Sequence, residues 1–143
     1  MTVTPGTTSG NGNPALFIGF TLIPIMISMV FLWIRIINTK TIKNKFLIAG
    51  MLLIVIHWII AFMYQMKEFR IYKEVIKNAL LEKDGVVSTE YLNSITSIFS
   101  VYVNNQYFNL NTFIMFLTLS LFVAILFCIL GRLEKSQTKS QNT

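Results

Sequence analysis

One cysteine, one histidine and six carboxylates are all that the 143 residues hold of the side chains on which most protein chemistry relies. The lone Cys128 excludes an intrachain disulfide and reads as a small apolar side chain. A single histidine, His57, cannot supply an HExxH zinc pair, and the chain has no CxxC, no phosphate-binding glycine loop and no GxSxG elbow. Glu82, Asp84 and Glu90 fall near one turn with no histidine beside them, which is the pattern of a solvated surface. These absences argue against an enzyme, a metal site or a resident cofactor. The twelve basic residues are too scattered to make a nucleic-acid footprint.

Charge is also scarce, at 13% of residues against 54% hydrophobic, and no charged side chain lies between Ala15 and Ile34. Three runs, residues 15–37, 46–66 and 110–131, each approach the roughly 20 residues with which a helix crosses a bilayer. They are continuously apolar, without the alternation of barrel strands. The fold expected is therefore all-α: an integral membrane protein with three transmembrane helices. The first run is too long for a signal peptide and no Lys or Arg precedes it, so it is expected to remain as a span. Residues 1–14, uncharged and rich in Thr, Gly and Asn, read as a flexible tail.

Orientation follows from Lys and Arg beside the spans. None precedes the first span, whereas Arg35, Lys40, Lys43 and Lys45 follow it and Arg132, Lys135 and Lys139 follow the third. This places residues 1–14 outside, and the 38–45 loop and the 132–143 tail in the cytoplasm, with a bacterial inner membrane as the expected site. The five basic residues of segment 67–109 are matched by Glu68, Glu74, Glu82, Asp84 and Glu90, so that extracytoplasmic segment is neutral.

Within segment 67–109, Phe69, Tyr72, Val75, Ile76, Ala79 and Leu80 recur at helical spacing, continuing the second span until Asp84 and Gly85 stop it. A second helix, capped by Ser88 or Thr89, is expected to carry Tyr91, Leu92, Ile95, Ile98, Phe99 and Tyr102 on one face. The two form an amphipathic hairpin whose face (Phe69, Tyr72, Ile76, Leu80, Ile95, Phe99, Tyr102) packs on itself, lies on lipid or docks a partner. A rival reading makes 100–108 a strand hairpin turning at Asn104 and Asn105.

Polar groups inside the spans are the functional flags. His57 is suited to a hydrogen bond with a neighbouring helix, or more sharply to proton sensing; a haem would need a second axial ligand, and no second histidine exists. Pro24 breaks one hydrogen bond of the first span. Thr21 and Ser28 flank it on the same face, which is expected to turn inward and offers a hinge for gating. Ser120, Ala124 and Cys128 in the third span, and Ala15 with Gly19 in the first, form small-xxx-small stripes for close helix packing.

The function expected is a small non-enzymatic membrane subunit that assembles through its helices with itself or with a larger membrane complex. A homo-oligomeric pore of the lysis or defence type, and an immunity protein against a pore-forming toxin, are the alternatives. The three-span layout is similar in topology to that of some phage holins, with a longer external segment. Cysteines introduced at positions 5 and 140 should label from opposite sides of sealed vesicles, the first from outside; labelling with the sides exchanged overturns the orientation.

Overall fold

The computed structural model describes residues 13, 15–97 and 100–141. Three long helices dominate it: α1 (Leu16–Thr39), α2 (Asn44–Asp84) and α5 (Leu110–Gln141). Between the last two lie α3 (Thr89–Ile95), a 3-10 turn (Val101–Val103) and α4 (Asn104–Tyr107). The fold is all-helical, with no strand among the described residues, so the rival strand hairpin at Asn104 and Asn105 is not formed. All three long helices are apolar and long enough to cross a membrane. Phe17, Phe20 and Phe31 of α1 are 75%, 70% and 68% exposed, which suits hydrocarbon and not water.

The boundaries match expectation along α2 and depart from it in two places. The 41-residue α2 is one uninterrupted helix, about 61 Å long at 1.5 Å per residue, twice the roughly 30 Å of a hydrocarbon core. Its second half is therefore the extension expected of residues 67–84. At the other end of the chain, α5 runs on to Gln141, so residues 132–141, read from the sequence as a tail beyond the span, continue its helix. The second amphipathic helix is shorter than its apolar periodicity suggests, ending at Ile95 and not Tyr102. The last turn closes at Thr96, whose backbone N–H reaches Leu92 O at 3.1 Å and whose hydroxyl donates to the same carbonyl at 2.7 Å. Ser100 then caps the 3-10 turn by accepting from Tyr102 N at 3.3 Å. Ser88 occupies the N-cap of α3 without a side-chain cap bond. Ile98 and Phe99 of the expected face lie outside the described residues.

The chain divides into two compact units, and α1, α2 and α5 contribute to both. The first comprises residues up to Thr21 with Ile60–Phe113. Its core joins Ile76, Leu80, Leu92 and Tyr102, with Tyr72 and Ile95 packed against them. The second comprises Leu22–Ile59 with Ile114–Thr143. Here Ile37, Leu47, Ile54, Ala124, Ile125 and Cys128 are buried together, flanked by Trp33, Trp58 and Phe122.

Among the described residues, two hold left-handed backbone. Gly85, at φ 74°, ends α2 in the conformation that glycine alone adopts without strain, and its N–H still reaches Leu81 O at 2.9 Å. Thr41, at φ 49°, does the same in the turn after α1, where a β-branched side chain is strained. Gly85→Ala should therefore destabilise by about 1–2 kcal/mol, whereas Thr41→Gly should leave stability unchanged or raise it. Thermal unfolding midpoints in detergent that move together would contradict this.

Candidate functional site

A bilayer core supplies no hydrogen-bond partners, so polar side chains must find them within the chain. In the second unit the two tryptophans do so by reaching α5. The Trp58 indole N–H donates to Thr118 Oγ1 at 2.9 Å, and the ring lies 5.3 Å from that of Phe122 in a tilted pair. The Trp33 N–H donates to Ser120 Oγ at 3.1 Å. Neither hydroxyl is left idle: Thr118 donates to Ile114 O at 2.9 Å and Ser120 to Leu117 O at 2.7 Å.

The stripe Ser120, Ala124 and Cys128 is buried along its whole length, at 0%, 0% and 6% exposure. Its small side chains leave room for the tryptophans and for Ile54 and Ile37. Gly50 of α2 lies beside this stripe, where a Cβ would make an ordinary contact of 3.9 Å with Ile125 Cδ1. At the end of this seam, Arg132 donates to Ile42 O at 2.6 Å and Asn44 Oδ1 at 2.7 Å, tying α5 to the turn before α2.

His57 is adjacent to Trp58, yet its Nε2 is buried without a hydrogen-bond partner. The interhelical bond expected there through this nitrogen is absent, and its neighbour Trp58 makes one instead. The Pro24 face also differs from expectation. Thr21, Pro24 and Ser28 are exposed within this chain and do not turn inward. Ser28 donates to Pro24 O at 2.8 Å and Thr21 to Ile18 O at 2.7 Å. Neither hydroxyl reaches Phe20 O, the carbonyl for which Pro24 has no N–H. Gly19 faces open space, with nothing within 4 Å of a would-be Cβ.

In the first unit a knot of amides holds α2 to the start of α5. Gln65 Nε2 donates to Gln106 O at 2.7 Å, and Asn111 Nδ2 donates to Ala61 O and to Gln65 Oε1, each at 3.0 Å. Asn109 and Thr112 form a reciprocal cap on α5: Thr112 N donates to Asn109 Oδ1 at 3.0 Å and Asn109 N to Thr112 Oγ1 at 3.3 Å. Asn13 and Asn104 exchange amide bonds of 2.7 and 3.0 Å, which anchors the segment before α1.

Tyr72 Oη donates to Tyr102 O at 2.6 Å. Burial, and then the nearby Tyr91, push the Tyr102 phenol above its ordinary range, so it stays protonated. The face formed by Tyr72, Ile76, Leu80 and Tyr102, for which self-packing, lipid contact and partner docking were the alternatives, is largely spent on its own core, with Phe69 half-buried.

Sequence reasoning passed over the amides and both tryptophans as partners of hydroxyls. The available signal was four Asn or Gln residues, Gln65, Gln106, Asn109 and Asn111, at the margins of apolar runs, where an amide needs several bonds at once. Among the described residues, no three His, Cys, Asp or Glu side chains converge on a metal-sized site. No known protein family, curated protein or solved structure matches the chain.

The contrast between His57 and Asn111 is measurable. His57→Phe removes a buried unsatisfied nitrogen and should leave stability equal or higher, since such a group costs about 1–3 kcal/mol. Asn111→Leu loses two bonds of roughly 0.6 kcal/mol each and should destabilise. Unfolding in mixed detergent reads both, and a His57→Phe protein clearly less stable than wild type would mean that Nε2 has a partner.

Proposed function

We propose that this chain is a small, non-enzymatic integral membrane subunit that assembles through α1, with copies of itself or with a larger membrane protein. The observation that carries this reading is how little of α1 the chain buries. None of its most apolar stretch is buried within the chain, whereas α2 and α5 cover 17% and 22% of theirs. Lipid can solvate such a helix, but lipid gives no reason for Gly19 to stand in open space on it. A glycine on a transmembrane surface lets a second backbone approach closely and gain dispersion contact along both helices. Thr21 and Ser28, bonded to their own backbone, would meet that partner without an unsatisfied hydroxyl.

In this reading the seam of Trp58, Phe122, Ile125 and Cys128 is the rigid part and α1 is the adhesive part. Segment 67–109 lies outside the cytoplasm, because the basic residues that flank the spans, Arg35, Lys40, Lys43, Lys45, Arg132, Lys135 and Lys139, favour the inner face. Each such residue gains about 1 kcal/mol near an anionic leaflet.

The test is the protein mass of the particle extracted in a mild detergent. A mass that is a multiple of 16.4 kDa, or a stoichiometric co-purifying membrane protein, is expected. Gly19→Leu should reduce the particle to single chains, while the same change at exposed Ile23 should not. A wild-type particle of one chain with no companion, both in detergent and after cross-linking in the membrane, removes this reading. A large homo-oligomer that collapses the membrane potential when overproduced replaces it with a pore.

A further inference from the structure

Within the second unit, α1 and α5 border an apolar groove of about 410 Å³. Ile27, Val30, Phe31 and Ile34 of α1 face Val123 and Phe127 of α5 across it. At hydrocarbon depth an unfilled groove forfeits dispersion contact on its open side, so something apolar occupies it. The shape of the walls and the charge at one end identify the occupant.

The walls are large and branched. Close approach of another helix backbone needs small residues along the contact, and this groove offers none. A single flexible hydrocarbon chain has no such requirement. From Ile27 to Ile34 the groove follows about 10 Å of helix, room for a run of methylenes.

Its end is basic. Ile34 is followed by Arg35, which is exposed and lies one turn beyond Phe31 on α1. On α5, Val123 and Phe127 are followed at the same spacing by Gly131, where a Cβ would meet nothing within 4 Å, and then by exposed Lys135. The whole +6 charge of the chain belongs to this unit, because the first acidic residue of the sequence is Glu68 and Glu134 is the only carboxylate among residues 22–59 and 114–143. In a zwitterionic head group the lipid's own ammonium competes with Arg35 for the phosphate, whereas in a head group of net negative charge the phosphodiester is free to pair with it. We infer that this groove holds one acyl chain of an anionic glycerophospholipid whose phosphate pairs with Arg35. This goes beyond the assembly reading and does not depend on it, since Gly19 and the groove are separate parts of α1.

Bromine on an acyl chain quenches nearby tryptophan, and Trp33 lies between Val30 and Ile34 in sequence and packs in the same cluster. The experiment uses the full chain with Trp58→Phe, so that Trp33 is the sole reporter, in neutral detergent titrated with brominated phosphatidylglycerol or brominated phosphatidylcholine. The anionic lipid should quench at about fivefold lower mole fraction, the preference expected for one basic side chain near the surface. Arg35→Gln should abolish the preference and Arg35→Lys should retain most of it. Val123→Phe, which fills the groove, should bring quenching by both lipids to one common, weaker level. Helicity by circular dichroism checks that each variant is folded, and the exposed Arg35 keeps the test decisive should Val123→Phe misfold. Equal quenching by the two lipids in the unsubstituted groove, a preference that survives Val123→Phe in a folded protein, or a lipid-free dimer whose contact buries Val30 and Phe127 would each overturn the inference.

Discussion

Every backbone and side-chain polar group placed in hydrocarbon must be satisfied from within the protein, and this constraint organises the whole structure. It explains why the apolar runs are unbroken helices. It also explains why each tryptophan N–H ends on a hydroxyl and each of those hydroxyls ends on a carbonyl of its own helix. The relay from Trp58 through Thr118 to Ile114 O, and its counterpart from Trp33 through Ser120 to Leu117 O, join helices without leaving a donor free. His57 Nε2 is the exception among buried side-chain atoms of the described residues. A polar atom held this way costs the fold stability.

The two units solve the same problem with different chemistry. One packs small and aliphatic side chains against tryptophans, with single bonds from the two indoles and a pair of bonds from Arg132 joining its helices. The other relies on amides and tyrosines, which offer several donors and acceptors each. Gln65, Asn109 and Asn111 share a few carbonyls among them, and Tyr72 closes onto Tyr102 O. Charge is divided along the same line. The unit that contains Ile60–Phe113 is balanced, while the unit with Arg35 and Lys135 carries the surplus. Electrostatic recognition of an anionic partner is thereby confined to one of them.

α1 stands apart in both respects. It contributes Trp33 and Ile37 to a buried core and otherwise presents Phe17, Phe20, Ile23 and Phe31 outward. Pro24 removes one hydrogen bond at its middle and no side chain restores it, so the helix is weakest there. A helix with so little internal burial adds little to the stability of the single chain. Its sequence is better explained by what it meets in the bilayer, whether helix or lipid.

The sequence alone determined the helical class, the three spans and the continuation of α2 to Asp84, because run length and the 3.6-residue repeat are local properties and Gly85 is a local stop. It also exposed the stripe Ser120, Ala124 and Cys128, since burial follows side-chain size when helices must approach closely. Only the tertiary structure decided which polar groups meet: Trp58 found Thr118 across 60 residues and Trp33 found Ser120 across 87. The end of α3 at Ile95 and the extension of α5 to Gln141 likewise escaped periodicity. In the first case the chain leaves the helix at Thr96 although the apolar repeat runs on, and in the second a polar stretch without breakers continued a helix already nucleated. Hydrogen-bond partners depend on helix register and crossing, which no one-dimensional pattern encodes, whereas the length of an apolar run is complete information about whether it can span.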